Sequence, residues 1–122
     1  MKLINEELTS RIINAAIEVH KLLGPGFLES VYEEAACIEF QTRNIKFERQ
    51  KQVTIFYRGI EIGCHRIDFV IEDSVVVELK AAHEFDQVHF AQVKSYLKAT
   101  GLRVGLLFNF NKPTLAIKRF VL

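Results

Sequence analysis

Few cysteines, no long apolar run and almost no net charge define what this sequence is not. Cys37 and Cys64 are too few for a disulfide framework and lack the spacing of a metal site. Two reduced, buried thiols are expected of them. No apolar stretch approaches the roughly 18 residues of a membrane span. Glu6 and Glu7 stand where a secretory leader would need its apolar core, so a soluble, cytoplasmic protein is expected. Sixteen Lys and Arg against fifteen Asp and Glu leave a formal charge of +1. That excludes an electrostatic grip on nucleic acid or lipid spread over the whole surface. A local patch is a different matter. Residues 1–40 hold seven acids against three bases, and the remainder holds thirteen bases against eight acids. This fits either solvated acidic helices beside a basic sheet or a surface able to face phosphates.

What is present is ordinary globular material. Of the 122 residues, 49% are hydrophobic and 25% charged, enough for a core and against disorder. No repeat, low-complexity tract or linker divides the chain, so 1–122 reads as a single domain. Leu8, Ile12, Ala16, Val19 and Leu23 recur at helical spacing, with Asn5 as a candidate cap and Gly24-Pro25-Gly26 as a stop. A second helix is expected over 27–43, with Asn44 as a left-handed cap. Strands are expected over 52–57, 60–71, 75–79, 104–108 and 115–121, with a third helix over 85–100. The strands on either side of that helix should run parallel, because a helix crosses between them. The fold class is therefore α/β (α+β), a mixed sheet with helices packed against it.

Three groups of residues carry chemistry. Glu78 and Lys80 alternate onto one face of their strand, and a hairpin brings Asp68 beside them if the register allows. Two adjoining carboxylates are costly unless a divalent cation lies between them, and Mg²⁺ suits such a site. The plainer alternative for Glu78-x-Lys80 is a surface ion pair, but Val75, Val76, Val77 and Leu79 argue for a buried strand. Gln92 and Tyr96 share one face of the third helix, either as cleft residues or as a half-buried shoulder. Glu29 and Tyr32 open the second helix behind the Gly-Pro-Gly turn. Glu29 is either a first-turn carboxylate favoured by the dipole or a group aimed at the cation. His20, His65, His83 and His89 have no partner at ligand spacing and are expected to be structural or solvated.

Together these pieces resemble a family. Gly26-x-x-Glu29-x-x-Tyr32 is similar to the signature of the GxxExxY proteins, a branch of the PD-(D/E)XK nuclease superfamily. Arg66-Ile67-Asp68-Phe69 with Glu78-Leu79-Lys80 resembles the superfamily's Asp…Glu-x-Lys core, with Ile67 in place of the proline. Gln92-Val93-Lys94-Ser95-Tyr96 resembles the Gln-x-x-x-Tyr motif of its recombination-exonuclease branch. The resemblance covers nearly the whole chain and implies a restriction-endonuclease-like αβββαβ core with an extra N-terminal helix and a C-terminal edge strand. It implies a metal, Mg²⁺ or Mn²⁺, held by Asp68, Glu78 and the Leu79 carbonyl. Lys80 and Glu29 would act beside that metal, and Gln92, Tyr96 and Tyr32 would meet substrate. The activity implied is hydrolysis of DNA, with RNA the lesser expectation. The alternative is an inactive module of the same fold that binds nucleic acid or a protein. A homodimer is also expected, since ten Phe, among them Phe108, Phe110 and Phe120, exceed what one small core usually needs.

Overall fold

Two helices come first in the computed structural model, which describes residues 3–122. They are α1 (Glu6–Leu23) and α2 (Glu29–Thr42). There follow β1 (Phe47–Tyr57), β2 (Ile60–Ile71), β3 (Val75–Lys80), α3 (Gln87–Thr100), β4 (Val104–Asn109) and β5 (Ala116–Val121). The five strands form one sheet in sequence order. Neighbours are antiparallel except β3 and β4, which run parallel from Val75↔Val104 to Lys80↔Asn109 on either side of the α3 crossover, as expected. The architecture is the mixed α/β sheet anticipated from the sequence.

The sheet has helices on both faces. Ile12, Ala16 and Val19 of α1 and Tyr32, Ala36 and Phe40 of α2 pack with Phe69, Ile71, Val77, Leu106 and Phe108. On the other face Val93, Tyr96 and Leu97 of α3 pack with Ile67, Val76, Leu107 and Phe120. β3 and β4 are buried on both sides, which explains their continuous apolar runs. Gly105 lets α3 lie close, since a Cβ there would stand 2.8 Å from Val93 Cγ1.

Several expectations change in the structure. β1 begins at Phe47, five residues before the β-branched stretch, because its charged start still pairs with the inner half of β2, Phe47 opposite Ile71. The second helix begins at Glu29, since Phe27 and Leu28 belong to the turn before it. Asn5 stands at the cap position of α1 at φ 56, but its side chain makes no capping bond. Asn44 does adopt the left-handed conformation, at φ 58. Cys37 is buried, but Cys64 is exposed, because outer β2 projects past β3 and pairs there with β1 alone. Phe108, Phe110 and Phe120 are all buried within the chain's own core, while the exposed large hydrophobics include Phe56, Tyr57, Ile60 and Ile62 at the outer end of β1 and β2. Phe110 stacks on Tyr32 at 4.6 Å, and Phe90 lies 5.7 Å from Phe120.

Candidate active site

The β2–β3 ladder stops short. The turn at Glu72-Asp73, both at positive φ, starts a hairpin whose rungs run Ile71↔Val75, Val70↔Val76 and Phe69↔Val77. The next position sets Asp68 opposite Glu78, and there side chains replace the backbone rungs. Asp68 N–H donates to Glu78 Oε1 at 2.8 Å, and Leu79 N–H donates to Asp68 Oδ2 at 2.9 Å. The exchange holds both carboxylates in the fork between the parting strands. β2 also changes face here. Phe69 and Ile71 pack toward α1 and α2, whereas Ile67, which strict alternation would put with them, packs toward α3.

Lys80 follows Glu78 on the same side, with Nζ 3.8 Å from Glu78 Oε2. Its strand is held beyond the fork by Asn109, a fully buried residue whose side chain accepts from Ala82 N–H and donates to Ala82 O. The Lys80 carbonyl accepts from Phe110 N–H on the β4 side. One residue earlier, the Leu79 N–H faces the fork, and strand geometry turns the Leu79 carbonyl the same way.

Helix α2 borders the fork from one side. Glu29 is exposed at its first position, yet its charge raises the proton affinity of both Asp68 and Glu78. Glu33, one turn on, acts more strongly on Asp68 than Glu29 does. Gln50 of β1 joins the two, with Nε2 donating to Glu33 Oε1 and to Asp68 Oδ1. Neither Glu33 nor Gln50 was foreseeable from a motif. Tyr32 has a different place from the one expected of it. It is fully buried, donates to Gly24 O at 2.6 Å and accepts from Phe27 N–H at 3.2 Å. Its hydroxyl is engaged by the turn that aims α2, with Gly26 at φ 108 inside that turn.

Helix α3 borders the other side. Tyr96 is 4% exposed and its hydroxyl donates to Arg66 O at 3.2 Å. Burial first, then the charges of Glu78 and Asp68, raise its pKa, and a bond from Gln92 opposes them. Gln92 and Tyr96 therefore meet beside the carboxylates. His65 lies across from them, 2.7 Å from Ser95 Oγ and edge-on to Tyr96. The other histidines match the structural or solvated expectation: His20 Nε2 lies 2.8 Å from Lys112 O, His89 accepts from Asp86 N–H to complete the α3 cap, and His83 is exposed.

Burial is the main reason the proton affinity of both fork carboxyls is raised. Glu78, 3% exposed, is pushed up to about 8 by burial and then by Asp68, against weaker help from the Asp68 N–H and Lys80. Asp68 is pushed up to about 6 by burial and by Glu33 and Glu29, against the Leu79 N–H and Gln50. Among the described residues, no three His, Cys, Asp or Glu side chains form a ready-made cation cage. The fork instead has two carboxylates and one adjacent carbonyl, with the exposed Glu29 at the start of α2 acting on both carboxylates. That donor set fits a hard cation that keeps several waters, and such an ion would offset the excess negative charge that Lys80 alone does not balance.

A model of the PD-(D/E)XK nuclease superfamily matches residues 6–120, which takes in every residue of the fork and of both flanking helices. Searches of curated proteins and of solved structures each found no match.

Proposed function

The chain belongs to the PD-(D/E)XK nuclease superfamily, and from that premise we propose that it is a Mg²⁺-dependent nuclease of the GxxExxY branch that cleaves DNA. The observation that carries this reading is the fork itself: two buried carboxylates set opposite each other where the ladder breaks, with Lys80 beside them. Like carboxylates buried side by side cost folding stability, and such arrangements cluster at functional sites.

Asp68 and Glu78 would hold the cation with the Leu79 carbonyl. When bound, a divalent ion supplies positive charge at the phosphate and makes a nearby water more acidic. Lys80 directs its ammonium at the charge that grows on the phosphate oxygens. Glu29, exposed at the start of α2, would accept hydrogen bonds from waters around such an ion. Gln92 bonds substrate or those waters, and Tyr96 keeps its wall of the cleft closed to bulk water. Mn²⁺ would serve in place of Mg²⁺, since both take oxygen ligands.

The near-neutral charge favours a second reading, an inactive module of this fold that binds nucleic acid or a protein. One experiment separates the two. Wild type and Asp68→Ala are titrated with Mg²⁺ and incubated with single- and double-stranded DNA and RNA. Saturable ion binding and DNA cleavage, both lost in Asp68→Ala, support the nuclease. DNA retention without ion binding or cleavage in wild type supports the module.

A further inference from the structure

Arg49 and Gln50 are consecutive in β1, and in a regular strand they would point to opposite faces. Both reach α2. Arg49 donates from Nε and Nη2 to Glu33 Oε2 at 3.0 and 2.7 Å, and from Nη2 to Glu34 Oε1 at 2.6 Å. Gln50 donates from Nε2 to the other oxygen of Glu33 and, at 3.2 Å, to Asp68 Oδ1. The backbone permits this because Gln50 sits at φ 51, a left-handed conformation that a residue with a Cβ rarely takes inside a strand. In the register Gln50 lies between the rungs Arg49↔Phe69 and Lys51↔Ile67, directly across from Asp68 and level with the point where β2 changes face. Strain of this kind persists where surrounding contacts enforce it, and it concentrates at working sites.

The chemistry explains why an amide stands there. One neutral NH₂ group spends both hydrogens on carboxylates from two different elements. A lysine could join the same pair but would compete with a cation, and an acid would repel both. Glutamine ties two anions together and leaves the charge of the fork unchanged. Asp68 Oδ2 is meanwhile fixed by Leu79 N–H, so both oxygens of Asp68 have an assigned donor.

We propose that Gln50 is a positioning residue, a neutral bridge from Glu33 that holds the Asp68 carboxylate in its cation-binding orientation, and that the inverted backbone of β1 exists to place it. This rests on the reading of the fork as a cation site.

Gln50→Gly and Gln50→Asn test the bridge, because both residues accept positive φ. Glycine has no amide, and the asparagine amide is one methylene short of spanning two carboxylates. Mn²⁺ is titrated into the full chain, free ion is followed by its paramagnetic resonance signal, and thermal midpoints are measured without metal. The expected result is a midpoint equal to or above that of wild type in both variants. Mn²⁺ affinity should fall about 10- to 100-fold, the range for losing an orienting partner behind a ligand. Wild-type affinity in both folded variants overturns the bridge. Lower midpoints in both variants also overturn it, since the backbone suits each replacement. Absence of Mn²⁺ binding in wild type removes the cation reading itself, and the bridge with it.

Discussion

Replacing Glu78 by glutamine should stabilise the metal-free protein, and the gain should depend on pH. Glu78 is 3% exposed, and its carboxyl is carried from the ordinary 4.5 to about 8. The folded chain therefore keeps a proton that the unfolded chain releases. Stability contributed by this group is complete below pH 4.5 and is lost as pH rises toward 8. Each tenfold change in proton affinity is worth about 1.4 kcal/mol, so the full loss is on the order of 4–5 kcal/mol. Asp68 shares in this shift, so about 4–5 kcal/mol is the upper bound of the loss by pH 8.5. Glutamine is neutral throughout, and its Oε1 can still accept the Asp68 N–H. Urea unfolding with chelator present at pH 4.5, 6.5 and 8.5 measures the effect. The advantage of Glu78→Gln over wild type should widen across that series, by at most about 4–5 kcal/mol. Millimolar Mg²⁺ should reverse the order by stabilising wild type alone. An advantage that stays flat with pH would refute the account of Glu78 as a carboxyl under desolvation.

Tyr32→Phe removes the hydroxyl that joins Gly24 O to Phe27 N–H but keeps the stack on Phe110. It should cost about 1–2 kcal/mol in thermal unfolding and leave Mg²⁺ affinity within about two-fold. Gly105→Ala should cost about 1–3 kcal/mol by pushing α3 from the sheet, read by denaturant unfolding, because the new Cβ would stand 2.8 Å from Val93 Cγ1. Glu29→Gln should change apo stability by no more than about 1 kcal/mol, the worth of an exposed first-turn charge. Calorimetric titration should show its Mg²⁺ affinity reduced; an unchanged affinity would return Glu29 to a helix-start role.

Glu78 and Lys80 were legible because they obey the period-two rule, and Asp68 because it lies across from Glu78 on a hairpin that length and apolar runs define well. The crossover helix and the parallel pair followed from the same runs. Gln50 and Glu33 were not legible, since their meeting depends on one left-handed residue inside a strand, which no periodicity records. The start of β1 was hidden for a related reason. Its first five residues, Phe47 to Lys51, are held by cross-strand pairing and not by an apolar alternation of their own. Tyr32 shows the opposite failure. Its spacing from Glu29 suggested a shared task, but one residue is exposed at the start of α2 and the other is buried under the turn. Asn109 gave no signal at all, because a buried amide that braces a loop looks in sequence like any strand-ending asparagine.

The unfinished ladder between β2 and β3 gives the lineage of this protein a direction. β-branched residues at 68 and 78 would let the rungs continue past Phe69↔Val77, relieve two buried charges and close the sheet. A copy released from its task would therefore drift toward a sealed hairpin, each step of the drift tolerated or favoured by folding. The return journey is harder, because each restored carboxylate would have to be buried again at a cost to folding. An open fork with both acids in place is thus the less stable of the two arrangements this hairpin can take.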